Sequence, residues 1–288
     1  MTGILLIAVG HGNYAKMAST LACSIRANGI DLPITLVHDA NTYVHITDEY
    51  MPFFTDFISI PTECITQGEN VCYIKAKSHM YDLSPYDTTL FLDVDIVLTN
   101  NGMFKQWLDE LAGVDFAIKN SDMRMFKDAS EGHKQWAVLS EVQKAYNLPD
   151  DAIVWNVHSE FIWWVKNFEN RILFDAWRDN FTNLKVKAVE FGGCIPDELP
   201  LWIAMAQHKR KPHMSPYLPT YWPFDNKQRL RLRDLTEYAG ISIGGAVIND
   251  VQKNNYDLLA MIHGKRMNMR HVYKCENKKR WEKTRHTI

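Results

Sequence analysis

Thr88-Thr89-Leu90-Phe91-Leu92-Asp93-Val94-Asp95 decides how this chain is read. The first five residues are β-branched or apolar and suit a strand buried in a sheet. The run ends directly in two carboxylates two residues apart. Ligands of open α/β sheets bind at the carboxyl ends of the strands. Half-buried carboxylates there repel each other unless a cation lies between them. Mg²⁺ and Mn²⁺ take oxygen ligands and commonly share them with a substrate diphosphate. The stretch predicts a strand over 88–92 with Asp93 and Asp95 as metal ligands. The plainer alternative is a strand-end turn with two solvated acids.

Outward from that strand, the first third of the chain alternates between two periods. Ile4 to Val9 is a continuous apolar run that ends at Gly10. Met17, Leu21 and Ile25 then recur at spacing four within Tyr14 to Arg26, one apolar stripe of a helix. Ile34 to Val37 and Phe57 to Ile60 read as further strands, and Tyr73 to Leu83 as a helix. Alternation of this kind means a parallel α/β sheet with right-handed crossovers. Later segments are more mixed. Val114 to Ile118 and Val157 to Val165 read as strands, and Glu131 to Tyr146, Phe168 to Phe181 and Glu198 to His208 as helices. No Gly/Ser-rich linker, repeat or low-complexity block interrupts them.

Of the 288 residues, 46% are hydrophobic and 23% charged, and no apolar run approaches the ~20 residues of a membrane span. The five cysteines, Cys23, Cys64, Cys72, Cys194 and Cys275, form no Cys-x-x-Cys pair. Neither a structural zinc site nor a disulfide scaffold is indicated, and a reducing cytoplasm is the expected compartment. Net charge is only −2, but its distribution is uneven. Segments 208–233 and 263–288 carry +6 and +7. Their cations are interleaved with aromatic residues such as Tyr217, Trp222, Tyr273 and Trp281. That combination suits a polyanion, with cations for phosphates and rings for unstacked bases. A solvated helix and a charged loop would read the same way. Glu160 is an acid inside an otherwise apolar strand, and a partly buried carboxylate needs a partner or a task.

Asp93-Val94-Asp95 resembles the Asp-x-Asp motif of nucleotide-sugar glycosyltransferases with the GT-A fold, in particular the retaining glycogenin and lipopolysaccharide galactosyltransferase family. Ala8 to Lys16 resembles that family's first strand and loop, Lys77 to Leu83 its Lys-Leu-His helix, and Phe191 to Glu198 its acidic pair. Ile262-His263-Gly264-Lys265 resembles its late His-x-x-Gly-x-x-Lys segment in compressed form. The likeness spans about residues 4–265, and the acidic pair is Asp-Glu where the family has Asp-Gln. It implies an α/β, GT-A type (Rossmann-like) single domain with a central, mostly parallel sheet flanked by helices. That domain would cover 1–265, as a nucleotide-binding half, 1–100, and an acceptor-side half, 101–265, followed by a basic segment, 266–288.

The same resemblance implies site roles. Ala8, Val9, Tyr14 and Val94 would line the nucleotide, with Asp93 beside the diphosphate. Lys77, Gly264 and Lys265 would hold that diphosphate. Asp93, Asp95 and His263 would bind Mn²⁺ or Mg²⁺. Asp197 and Glu198 would be the catalytic carboxyls facing the sugar from a UDP-sugar donor; Glu160, singled out above as an acid in an apolar strand and not by the resemblance, is a further catalytic candidate. Each has a plainer reading: Lys77 as a surface lysine, His263 as an exposed histidine, Tyr14 as packing for the first helix. Asp197 and Glu198 would also suit a helix's first turn on charge alone.

The acceptor implied by the basic segments is a hydroxylated DNA base such as hydroxymethylcytosine, as in phage DNA modification within the host cytoplasm. Lipopolysaccharide, another glycan or a protein are the competing acceptors. A different class of enzyme also remains in view. Gly10-His11-Gly12-Asn13-Tyr14-Ala15 fits the dinucleotide fingerprint, and Asp39 stands where a ribose-binding acid would, so an NAD-dependent oxidoreductase is the main rival. A non-catalytic nucleic-acid-binding protein would use only the basic segments.

Overall fold

The computed structural model describes residues 1–98, 102–128, 136–190, 193–214, 220–221 and 240–242. Strands are β1 (Thr2–Ala8), β2 (Ile34–His38), β3 (Asp56–Ser59), β4 (Thr66–Gln67), β5 (Asn70–Val71), β6 (Thr88–Leu92), β7 (Ile96–Leu98), β8 (Phe116–Met125), β9 (Ile153–Val165), β10 (Thr220–Tyr221) and β11 (Gly240–Ser242). Helices are α1 (Gly12–Ala27), α2 (Ala40–Tyr43), α3 (Met80–Leu83), α4 (Met103–Glu110), α5 (Leu139–Ala145), α6 (Phe168–Thr182) and α7 (Glu198–Gln207). The main sheet has the strand order β3-β2-β1-β6-β9-β8. Strand β6 coincides with the stretch expected from the sequence, and its four C-terminal residues are buried. Among the described residues no helix is long and apolar enough to cross a membrane.

The chain divides into two compact units, one built, among the described residues, from Thr2–Ser59, Phe91–Gly113 and the short strands β10 and β11. In it β1 pairs with β2 and β2 with β3, all parallel, with Ile4 opposite Ile34 and Ala8 opposite His38. Six of the seven β1 residues are buried, as a strand covered on both faces requires. Helix α1 starts under a His11 cap and buries Met17, Leu21 and Ile25, the stripe legible in the sequence. A small second sheet runs β10-β11-β7, with β11 antiparallel to β7.

The other unit is Met1, Ile60–Leu90 and Val114–Met214. Its framework is the antiparallel pair β8–β9 with α6 and α7 packed in an aromatic core. Trp164 and Trp177 both lie against Phe174, with ring centroids 5.0 and 5.7 Å away, and Trp202 is fully buried. The β8–β9 register is broken in a telling way. Ile118 pairs with Ile162, but the next residue, Lys119, pairs with His158. Ser159, Glu160 and Phe161 therefore bulge out of the ladder, and bulges re-aim side chains.

Two expectations need correction. The helix expected over Glu131–Tyr146 is confined, among described residues, to α5. Trp136 has φ 66°, a left-handed conformation no helix can include, and Val138 is extended. The segment Tyr73–His79 is a 3₁₀ turn that passes into α3 rather than one continuous α-helix.

Candidate active site

In the β1–β2–β3 unit the loop after β1 is built by a carboxylate brace. Gly10 takes φ 95°, open to glycine at little cost, and turns the chain from β1 into α1. Its N–H donates to Asp39 Oδ2 at 2.7 Å, while Asp39 Oδ1 accepts the Thr42 N–H at 2.8 Å and caps α2. Both oxygens of Asp39 are thus bound to backbone N–H groups. Asp39 therefore has a structural task in this loop that does not depend on a ribose. Gly12 matters for a different reason: a Cβ there would stand 2.3 Å from the His45 ring. Beside these residues lies an open cavity of about 550 Å³, lined in part by His11, Asn13, Lys16 and His45. Tyr14 is 37% exposed, whereas Ala8 and Val9 are buried.

The two carboxylates after β6 lie in a single tight turn. The Asp93 carbonyl accepts the Ile96 N–H at 3.1 Å, and Asp93 Oδ1 accepts the Val94 N–H at 3.1 Å. Val94 is buried and anchors the turn, while Asp93 and Asp95 are both half-buried. Two hard oxygen donors three residues from end to end fit Mg²⁺ or Mn²⁺ better than zinc. Among the described residues no three His, Cys, Asp or Glu come together as a ligand set. His263, Gly264 and Lys265, and most of the basic segments 208–233 and 263–288, lie outside the described residues, as does the boundary expected at 265.

The β8–β9 unit gathers a second group. Lys77 Nζ donates to Ser159 Oγ at 3.1 Å and lies 3.6 Å from Asp197 Oδ2. Their side chains are 15% and 6% exposed, so Lys77 is not a surface lysine. Lys119 Nζ pairs with Glu160 Oε2 at 3.0 Å, equally buried. The bulge in β9 thus places Ser159 and Glu160 where each meets a lysine. Asp197 sits at the cap position of α7, yet its side chain makes no capping hydrogen bond. Its carbonyl accepts from Trp177 Nε1 at 2.9 Å, which fixes the backbone. Glu198 Oε2 accepts from Trp136 Nε1 at 2.9 Å.

Three carboxyls here face two lysines. Asp197 and Glu160 each hold one, and among the described residues Glu198 makes no ion pair. Burial, then the Asp197 charge, push Glu198 up to about 7, against the pull of Lys77 and the indole. Nearby His158 is pushed below its ordinary value by burial and then by Lys119. Sequence reading found Lys77, Glu160, Asp197 and Glu198. It missed Lys119, although a buried acid in an apolar strand did announce a cation somewhere. It also missed Trp136, for which the sequence carries no signal.

No family model and no curated protein matches this sequence. Solved structures do. The apo structure of the bifunctional glycosyltransferase WbbM matches with TM-score 0.55 and 14% identity, over 95% of this chain and 51% of its own. This chain therefore spans about half of that protein's length. The galactosyltransferase LgtC, solved with donor and acceptor sugar analogues, matches with TM-score 0.50 and 12% identity over 85% of this chain and 88% of its own. The fold is the mixed α/β architecture of the GT-A glycosyltransferases.

Proposed function

We propose that this chain is a metal-dependent glycosyltransferase that takes a sugar from a UDP-sugar and transfers it, with retention, to an acceptor hydroxyl. The observation that carries the reading is the Asp93–Val94–Asp95 turn at the end of β6, in a fold of GT-A type. Asp93 and Asp95 would hold Mn²⁺ or Mg²⁺, with His263 as the third ligand. When bound, the metal neutralises charge on the departing diphosphate. Tyr14, with Ala8, Val9 and Val94, would line the nucleotide, and Lys77, Gly264 and Lys265 the diphosphate. Asp197 and Glu198 would lie under the sugar and stabilise positive charge as it develops at the anomeric carbon, with Lys77 beside Asp197. Glu160, tied to Lys119, supports that arrangement.

The proposed acceptor is a hydroxymethylated cytosine in phage DNA, on the strength of the charge packed into 208–233 and 263–288. Free cysteines among the described residues are consistent with a cytoplasmic site of action. The deciding experiment offers a panel of UDP-sugars, with Mn²⁺, to hydroxymethylated DNA, plain DNA, lipopolysaccharide and protein. Transfer to hydroxymethylated DNA establishes the transferase and its acceptor. Transfer only to lipopolysaccharide or protein keeps the transferase and removes the DNA. Full transfer in excess EDTA removes the metal, and NMR of the fresh product reports the anomeric outcome.

A further inference from the structure

Trp136 is held in a conformation its own chemistry does not favour. Among the described residues three besides glycine have positive φ: Trp136, Asn147 and Lys209. Asn147 and Lys209 stand just past the ends of α5 and α7, where a left-handed residue closes a helix. Trp136 closes nothing. It precedes α5 and is pinned from one side: Ala137 bridges Ala188, and the Trp136 carbonyl accepts the Val189 N–H at 2.7 Å. A bulky residue kept in this region marks a place where the surroundings over-determine the backbone for a purpose. What the conformation delivers is the indole N–H to Glu198 Oε2 at 2.9 Å.

We propose that Trp136 is a positioning residue that grips Glu198 by one oxygen and so presents it as an oriented carboxylate to the sugar. The inference rests on the transferase reading for its last step and on geometry for the rest. Glu198 is faced by Asp197 on its own helix, by Glu160 on β9 and by Lys77 on the Tyr73–His79 turn. Lys119 is engaged by Glu160, and His158 lies next to both. Among the described residues Glu198 makes no ion pair, so beside the Lys77 charge the Trp136 N–H is the neutral donor that favours its ionised form. Removing that donor must raise the pH at which Glu198 ionises.

The test is direct titration of the Glu198 carboxyl by ¹³C NMR on the full chain, with Glu198→Gln identifying its signal. Wild type is compared with Trp136→Phe, and with a chain carrying benzothienylalanine at 136, which keeps the ring shape and lacks the donor. The second variant preserves the test if phenylalanine disturbs folding. The expected result is an upward move of the midpoint by about one pH unit in both, the size of one hydrogen bond to a charged group. The acid limb of the kcat profile should move with it, and activity should recover at high pH. An unmoved midpoint in the benzothienyl chain overturns the inference even if transfer is normal. A moved midpoint in a protein that transfers no sugar overturns the transferase reading and leaves the Trp136–Glu198 link standing.

Discussion

The two acidic centres of this protein are built by opposite means. Asp93 and Asp95 belong to one three-residue turn, set by the end of β6, and both stay half-buried. Asp197, Glu198 and Glu160 are assembled with Lys77, Lys119, Ser159 and Trp136 from segments up to about 120 residues apart, and the ion pairs are nearly sealed from water. The first centre is a local motif whose charges repel and invite a cation from outside. The second supplies its own cations from within the fold. A local motif can change without unfolding the chain, whereas a buried ion-pair network cannot lose one partner cheaply.

The largest expected effect is on activity at the first centre. Asp95→Ala should lower kcat by at least about a hundredfold, the scale of losing one electrostatic stabiliser of the transition state, while the melting temperature stays close to wild type. Turnover assays beside thermal melts check both halves. Normal turnover would break the contrast, because the turn would then be a solvated strand end.

Stability should respond most at the second centre. Lys77→Met leaves Asp197 buried beside a neutral side chain and should cost about 3–5 kcal/mol in urea unfolding. Adding Asp197→Asn should return much of it, since the pair couples directly. Independent, additive losses would show that the 3.6 Å contact contributes little.

A smaller effect with a definite sign belongs to Glu198. Its ionisation in the folded protein is raised from 4.5 to about 7, so the folded state binds the extra proton between those values and stability falls as pH rises through them. Glu198→Gln should therefore be more stable than wild type at pH 8, by on the order of 2 kcal/mol. The gain should vanish near pH 4. A pH-independent difference would mean that Glu198 ionises normally.

The smallest effect tests the β1 loop. Gly12→Ala places a methyl against His45, an exposed side chain that can swing away. The loss should be about 1 kcal/mol or less, as for a mild overpacking, and His45→Ala should relieve it in a double-mutant cycle.

The same contrast explains what the sequence could and could not reveal. Strand β6 and its two acids were legible because burial pattern, strand end and charge all lie within eight consecutive residues. The stripe of α1 was legible for the same reason. β8 was read only as far as Ile118, because beyond it the alternation of apolar residues fails while the ladder continues through Met125 with shifted register. A register shift depends on the partner strand, so no single segment encodes it. The helix expected through Trp136 failed because its left-handed backbone is imposed from residues 188–189, about fifty positions away. Glu160 could be singled out as an acid needing a partner, but only the fold names Lys119.

One measurement bears most directly on the central claim. Calorimetric titration of UDP into the protein with Mn²⁺, repeated with EDTA, with Asp95→Ala and with NAD in place of UDP, tests whether the β6 turn makes a metal-dependent nucleotide site. The account predicts binding of UDP with Mn²⁺, and its loss in EDTA and in Asp95→Ala. NAD should bind in no condition, because the account makes this a site for a metal-bound nucleoside diphosphate. Equal UDP affinity in EDTA and in Asp95→Ala, or binding of NAD instead, would contradict it.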